Sequence, residues 1–157
     1  MSENAQAAFE ALNALIGNEP VAGEWFEVTQ ERINEFADAT LDHQFIHIDP
    51  EKAAQTPFGG TVAHGFLTLS LLVHLSTSIP SDFTKLDGVL MGVNYGLNKV
   101  RFVNPVPAGA RVRATAATVN VELKGDAVDQ TRAMTIEIEG ADKPAVVAEW
   151  IGRTVFA

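Results

Sequence analysis

The chain has 157 residues, no cysteine and a formal net charge of −9. This length fits one domain that can bury a core without disulfides, and the lack of cysteine excludes disulfides, thiolate metal ligands and cysteine nucleophiles. The negative charge argues against nucleic acid or an anionic membrane as the main partner, because both bind basic surfaces.

The first half of the chain predicts short helices separated by loops. Gly17 can end a first helix, and Thr29 is a good N-cap for a second. A third can begin at Pro50, where proline suits the first helical turn. The predicted helices cover residues 2–17, 30–39 and 50–54, with a strand-like segment at 25–28 and a polar loop at 40–49.

Residues 62–75 are apolar nearly all round, with small residues inserted, which predicts a buried central helix. After Pro80 apolar and polar residues alternate, as in antiparallel strands with one covered face. Lys124-Gly125-Asp126 is a plausible hairpin turn. The predicted strands cover residues 88–103, 110–123, 127–139 and 144–156. The expected fold class is α+β, with an antiparallel sheet wrapped around the long central helix.

We expect a cytoplasmic protein without membrane insertion. No basic segment followed by an apolar run opens the chain, and the most apolar stretch, residues 66–75, is too short to span a bilayer.

Asp42 and His47 lie five residues apart in the polar loop. Adding water to a polarised double bond needs a base for the water and an acid for the neighbouring carbon, and this pair can share that work if both contact one water molecule. Asp42 can equally cap local backbone while His47 is a buried, satisfied histidine. Spacing alone favours that structural interpretation.

Gly65 stands where the chain enters the central helix. A helix start exposes unpaired backbone N–H groups, and glycine lets a ligand approach them closely. Such an N–H could stabilise the charge that develops on a thioester oxygen. Close packing between helix and sheet explains the glycine at least as well.

The stretch from Asp42 to Phe66 resembles the signature of the MaoC-like, (R)-specific enoyl-CoA hydratases, and within them the NodN-like branch. Their usual pattern is Gly-Asp-x-Asn-Pro-(Leu/Ile)-His, then Asp-Pro, then His-Gly opening the central helix. This chain has Asp42, Ile46, His47, Asp49, Pro50, Ala53, Ala54, His64 and Gly65 in that order. It departs from the pattern at Leu41, Gln44 and Phe45, which replace Gly, Asn and Pro. The segment 93–102 is also similar to the NodN-like branch.

The resemblance implies a single hot-dog domain over residues 1–157, with a core at about 23–155 and an N-terminal helix at 2–17. It implies that Asp42 and His47 bind the catalytic water, with Asp42 the favoured base and His47 delivering a proton to the α-carbon. The backbone N–H of Gly65 would bind the thioester oxygen. The reaction would add water reversibly to a trans-2-enoyl-CoA thioester, in fatty acyl metabolism, to give a (3R)-3-hydroxyacyl-CoA.

Further residues are candidates for substrate binding, and His64 is also expected to orient the loop. These candidates are Gln44, Gly60, His64, Phe66, Asn94 and Tyr95. Lys99, Arg101, Arg111 and Arg113 could bind the phosphates of coenzyme A, although a solvated sheet face is the favoured interpretation for each. No cofactor is expected, since coenzyme A enters only as part of the substrate.

Three alternatives remain open at this point. His43 and His47 with Asp42 and Asp49 could bind a metal, but the hydratase chemistry already uses two of them, and no metal is expected. A hot-dog thioesterase would hydrolyse the same substrates, and a non-catalytic subunit would only bind acyl thioesters. A homodimer is expected, with pairing across apolar strands such as 110–119.

Overall fold

The computed structural model describes residues 2–80 and 86–157. Its helices are α1 (Glu3–Asn13), α2 (Gln30–Thr40), α3 (Phe45–Ile48), α4 (Pro50–Ala53), α5 (Gly65–Ser70) and α6 (Leu72–Ser76). Its strands are β1 (Val21–Ala22), β2 (Phe26–Glu27), β3 (Val89–Phe102), β4 (Arg111–Lys124), β5 (Ala127–Ile138) and β6 (Val146–Phe156).

The strands form one antiparallel sheet in the order β1-β4-β5-β6-β3, with β2 also paired to β4. The predicted hairpin is present: Lys124 pairs with Ala127, and Gly125 takes a left-handed φ of 64° in the tight turn between them. The four long strands lie within two residues of their predicted bounds, because their alternating pattern reflects one covered face.

The central helix is present as two consecutive helical segments. It begins at Gly65 rather than Val62, and Leu71 interrupts it between α5 and α6. Leu67 and Leu72 are buried on its sheet side, in one core cluster with side chains from β4, β5 and β6. Burial of each such leucine contributes roughly 1.5–3 kcal/mol, so this packing holds the start of α5 firmly over one end of the sheet.

The other end of the same sheet face is covered by α1. Ala8 and Leu12 of the helix pack against Val121, Val128 and Phe156 of the sheet in a second buried cluster. The helix α1 and the pair α5–α6 therefore cover different parts of the sheet, and a cavity lies between the end of α1 and the end of α6.

The free edge of the sheet is β3, which pairs only with β6 among the described residues. The expectation that two copies pair along residues 110–119 is wrong. Those residues belong to β4, which already has β5 on one side and β1 and β2 on the other. Large apolar side chains of β3 are exposed along its length, including Val89, Leu90, Met91, Val93, Tyr95 and Leu97.

Within residues 2–80 and 86–157, none of the helices has the length and apolar character needed to cross a membrane.

Candidate active site

Asp42 is positioned by the end of α2. Thr29 caps the start of this helix, where its side chain accepts from the backbone N–H of Arg32. The helix ends at Leu41, whose left-handed φ of 62° turns the chain sharply. The backbone N–H of Asp42 then donates to the carbonyl of Ala37 at 3.1 Å. The carboxylate of Asp42 is left half-exposed at the surface of the turn.

His47 lies on α3, a single helical turn inside the stretch predicted as a loop. The residue is only 7% exposed. Its Nδ1 lies 2.7 Å from the carbonyl oxygen of Val62, so Nδ1 carries the proton and donates it. In the neutral ring, Nε2 then keeps a free lone pair. The backbone N–H of Val62 also donates to the carbonyl of Ile46, the residue before His47, at 3.0 Å.

His64 lies immediately before α5 and is 2% exposed. Its Nε2 donates to the backbone carbonyl of Asp42 at 2.9 Å, and its ring stacks on His47 with the centroids 3.8 Å apart. The ring of Phe36 covers it at 5.0 Å. Its buried Nδ1 has no hydrogen-bond partner among the described residues. His64 therefore joins the turn that carries Asp42 to the ring of His47.

These contacts bring Asp42, His47 and His64 together, with one ligand atom of each within 4.8 Å of the others. Burial lowers the pKa of His47 below its usual value of 6.5, and the neighbouring His64 ring acts in the same direction. His47 is therefore neutral near pH 7. A half-exposed carboxylate thus lies beside a buried imidazole that can accept a proton.

The same three residues are a poor fit to a metal ion. A structural or catalytic metal needs three or four convergent donors with free lone pairs. Nε2 of His64 carries the proton that it donates to the carbonyl of Asp42, so the ring nitrogen that points toward the Asp42 carboxylate is not free to coordinate. Only Asp42 and His47 are left as donors on this side. His43, proposed with Asp49 in the alternative set, instead bonds Asp38 at 2.7 Å.

Gly65 follows His64 directly and begins α5. Its backbone N–H has no hydrogen-bond acceptor among the residues that the structure describes. A side chain at this position would place its Cβ 2.9 Å from the ring of Phe102, which lies against the glycine. Phe66 meets the same ring edge-on at 5.8 Å and is 70% exposed. An unpaired N–H with apolar rings beside it is suited to a carbonyl group that carries an apolar chain.

The profile of the MaoC-like domain matches residues 11–141. The chain belongs to the MaoC-like domain family. It is 52% identical over 145 residues to 3-hydroxyacyl-thioester dehydratase Z of Mycobacterium tuberculosis, covering 92% of this chain and 93% of that one. It is 48% identical over 138 residues to nodulation protein N of Rhizobium leguminosarum bv. viciae, covering 87% and 84%.

The fold of the MaoC-like chain is shared with solved structures. The (R)-hydratase from A. caviae involved in PHA biosynthesis superposes with a TM-score of 0.66 at 23% identity, over 85% of this chain and 92% of that one. The hot-dog fold expected from the sequence is thereby confirmed.

The remaining residues predicted to bind substrate in this MaoC-like chain do not all lie near the Asp42 cluster. Gln44 is exposed and precedes α3, where its carbonyl accepts from the backbone N–H of His47 at 2.9 Å. Gly60 is partly buried before Thr61. Asn94 and Tyr95 lie near the middle of β3, roughly 25 Å along the strand from Phe102. The structure does not bring these two to the Asp42 cluster within one chain.

The four predicted phosphate ligands lie on strands, and three of them pair with carboxylates. Lys99 bonds Glu149, while Arg111 and Arg113 bond Glu139 and Glu137. Arg101 donates to the carbonyl of Val100. This arrangement agrees with the favoured interpretation of a solvated sheet face.

Gln30 is a residue of the site that sequence reasoning missed. Its side-chain Nε2 donates to the backbone carbonyl of His47 at 2.7 Å, and its Oε1 accepts from the hydroxyl of Thr61 at 2.5 Å. It therefore ties α2 to both segments that form the site. A glutamine in a first helical turn carries no signal of such a link, because its partners lie 17 and 31 residues further along the chain.

Proposed function

We propose that this protein is a hydratase/dehydratase that adds water reversibly to trans-2-enoyl thioesters to give (3R)-3-hydroxyacyl thioesters. The convergence of Asp42, His47 and His64 within 4.8 Å carries the proposal, because it supplies one acid–base pair at a surface turn. The similarity to a 3-hydroxyacyl-thioester dehydratase over nearly the whole of both chains supports it.

In the proposed hydration step, a water molecule lies between the Asp42 carboxylate and Nε2 of His47. The lone pair at Nε2 takes one proton as the water oxygen attacks the β-carbon of the enoyl group, and Asp42 accepts a hydrogen bond from the remaining O–H. The protonated His47 then delivers that proton to the α-carbon, so atoms and charge balance. Because His47 starts neutral, it must receive a proton before it can give one, so this proposal assigns to His47 the role of base that the family resemblance favoured for Asp42.

Charge moves onto the thioester oxygen during this step. The unpaired backbone N–H of Gly65 is the proposed donor to that oxygen. It lies next in sequence to His64, whose ring stacks on His47, so the proton relay and the oxyanion donor belong to adjoining pieces of backbone. The rings of Phe66 and Phe102 would border the acyl group.

The test is a direct assay with crotonyl-CoA that follows loss of the conjugated thioester absorbance, with free thiol measured in parallel. We expect hydration by the wild type, and a loss of about 100-fold or more in kcat for Asp42→Asn and His47→Gln. His43→Gln is the matched control, because this histidine lies in the same turn but bonds Asp38 instead. It should stay within about twofold of the wild type.

Three outcomes would overturn the proposal. Thiol release without hydration would favour a thioesterase, and binding of crotonyl-CoA without turnover would favour a non-catalytic subunit. Analysis of the product on a chiral column should show the (3R) alcohol, and a (3S) product would contradict the proposed arrangement of the site.

We further propose that the protein is a homodimer joined along β3. This strand leaves one side of its backbone unpaired among the described residues, and it exposes apolar side chains such as Val93 and Leu97. A long, apolar, unpaired edge is unfavourable in a monomer, whereas a second copy would cover it.

Analytical ultracentrifugation tests this interface. The wild type should sediment at about twice the 16.8 kDa of one chain. Val93→Lys should shift it to the monomer, since a lysine would lie in the proposed seam. Val119→Lys on β4 is the matched control, because Val119 has a similar exposure of 43% against 45% for Val93. A dimer that persists in Val93→Lys, or is lost equally in both variants, would refute the placement.

A further inference from the structure

A cavity of about 280 Å³ lies away from the Asp42 cluster, where α1 and the end of α6 come together over the sheet. Its apolar walls include Leu12 and Leu15 from the α1 region and Ile79 after α6, while the sheet contributes Arg132 of β5. This volume is at the lower end of the range for small-molecule pockets. We call it the Arg132 cavity.

Arg132 is unusual among the cationic side chains of this protein. It lies opposite Trp150 in the sheet, with its guanidinium carbon 4.4 Å from the centroid of that ring. Its Nε is buried without a hydrogen-bond partner, and no carboxylate among the described residues lies within ion-pair distance. By contrast, Arg113 and Arg153 on the same sheet each have a carboxylate oxygen at 2.6 Å.

Such an arrangement is costly for the folded protein. Arg132 is partly buried, and its buried Nε loses hydration that hydrogen bonds or an opposite charge would normally replace. The face of Trp150 compensates in part, as cations are attracted to aromatic rings. The five N–H donors remain without an acceptor from the described part of the chain. A bound acceptor would remove this cost.

The other polar groups of the cavity narrow the class of ligand. Gln130 and Thr118 line it but already bond each other at 2.8 Å, and Asn18 contributes an amide. Glu19 is the one carboxylate among the described lining residues; it is exposed and makes no ion pair with Arg132. The cavity thus combines apolar walls with one unpaired cation on its sheet side and one acidic group near the solvent.

We propose that the Arg132 cavity binds a small carboxylate with a linear apolar body, separately from the candidate active site. The carboxylate would pair with the guanidinium of Arg132, and the apolar body would lie against Leu12, Leu15 and Ile79. None of the residues that line the cavity belongs to the Asp42, His47 and His64 cluster. The site therefore does not depend on the proposed enoyl-thioester chemistry.

Calorimetric titration of the protein with octanoate tests the proposal, with octanol as the uncharged probe of the same shape. Octanoate should bind saturably to the wild type and more tightly than octanol. Arg132→Met should weaken octanoate binding about tenfold or more, because a charge-assisted hydrogen bond is lost. Asp42→Asn should leave it unchanged, which separates the cavity from any occupation of the candidate active site.

Two further variants keep the test decisive. Leu15→Trp, which fills the apolar part and retains Arg132, should also abolish octanoate binding, and it serves if Arg132→Met does not fold. Glu19→Gln removes the acidic group from the cavity lining and should tighten octanoate binding severalfold.

Several results would overturn the proposal: no saturable binding of octanoate, equal affinity for octanoate and octanol, or equal octanoate affinity in the wild type and Arg132→Met. Crotonyl-CoA turnover by Arg132→Met without octanoate should stay within about twofold of the wild type. A complete loss of turnover in a folded variant would instead place Arg132 in the reaction itself.

Discussion

Replacing Gln30 with alanine tests whether this side chain holds the two segments of the candidate site together. The substitution removes the donor to the backbone carbonyl of His47 and the acceptor for the hydroxyl of Thr61, both partly buried contacts. A hydrogen bond of this kind contributes about 0.5–1.5 kcal/mol, so two of them predict a loss of about 1–3 kcal/mol in the free energy of unfolding. For a domain of this size, that is roughly 2–4 °C in Tm for each kcal/mol.

The same substitution should reduce turnover more than substrate binding. His47 would keep its ring bond to Val62 and its N–H bond to Gln44 but lose the side-chain donor to its backbone carbonyl, and small misplacements of a reacting group are costly. We expect kcat for crotonyl-CoA to fall about tenfold or more, with KM changed by less than about threefold. Tm is measured by calorimetry at one fixed protein concentration, since the proposed dimerisation would make it depend on concentration.

Gln6→Ala is the matched control. Gln6 makes a side-chain hydrogen bond of 2.7 Å to Glu10, but on the exposed face of α1. Its loss should cost less than about 0.5 kcal/mol and leave kcat unchanged. If Gln30→Ala behaves like Gln6→Ala, the reasoning is wrong. If Gln30→Ala lowers Tm but leaves kcat unchanged, Gln30 supports the fold without positioning His47.

Three other substitutions probe separate parts of the structure. Because burial lowers the pKa of His47 below 6.5, the unfolded chain binds a proton more readily, and stability is lost as the pH falls below 6.5. The Tm advantage of the wild type over His47→Gln should therefore shrink between about pH 7.5 and pH 5.5. Gly65→Ala places a Cβ 2.9 Å from the ring of Phe102 and should lower kcat/KM for crotonyl-CoA about tenfold or more, unlike Gly152→Ala, where no atom lies within 4 Å. Arg132→Met should leave Tm unchanged or raise it, because it removes a partly buried cation whose Nε has no acceptor among the described residues.

Each of these three has an outcome that would contradict it. A Tm difference for His47→Gln that is independent of pH would mean that His47 does not titrate differently on folding. Equal kcat/KM for Gly65→Ala and the wild type would leave the backbone at Gly65 without a role in turnover. A fall of more than about 2 kcal/mol in the stability of Arg132→Met would show that its stacking on Trp150 outweighs the cost of burying its charge.

The long strands and α2 could be predicted because their signals are local, whereas α1 ends at Asn13 and not at the predicted Gly17. Period-two alternation predicted β3 to β6 closely, and Thr29 was correctly identified as the cap of α2. The free edge of the sheet could not be predicted in this way. Strand order depends on which strands meet in space, and alternation within 110–123 is the same whether that strand is central or at an edge.

The candidate site shows the same division between local and distant signals. Asp42 and His47 were only candidates from their spacing, and the family resemblance made them the expected water site; the structure brings both to one place with His64. The turn of α3 was missed because only four residues form it. Leu41 adopts the left-handed conformation although it replaces the usual glycine of the family pattern. The bond from the Asp42 N–H to Ala37 at the end of α2 and the tertiary bond from His64 to the Asp42 carbonyl hold that turn where local preference would not.

Hydrogen bonds join residues 42–47 to residues 62–65, which lie far apart in the sequence, and each segment donates to the other. The N–H of Val62 donates to Ile46, its carbonyl accepts from His47, and His64 reaches back to Asp42. Neither segment can open without breaking bonds to the other, so residues 42–47 and 62–65 should behave as one cooperative unit of local unfolding. In hydrogen exchange, the amide of Val62 and the amide of His47 should therefore become exposed in the same opening event.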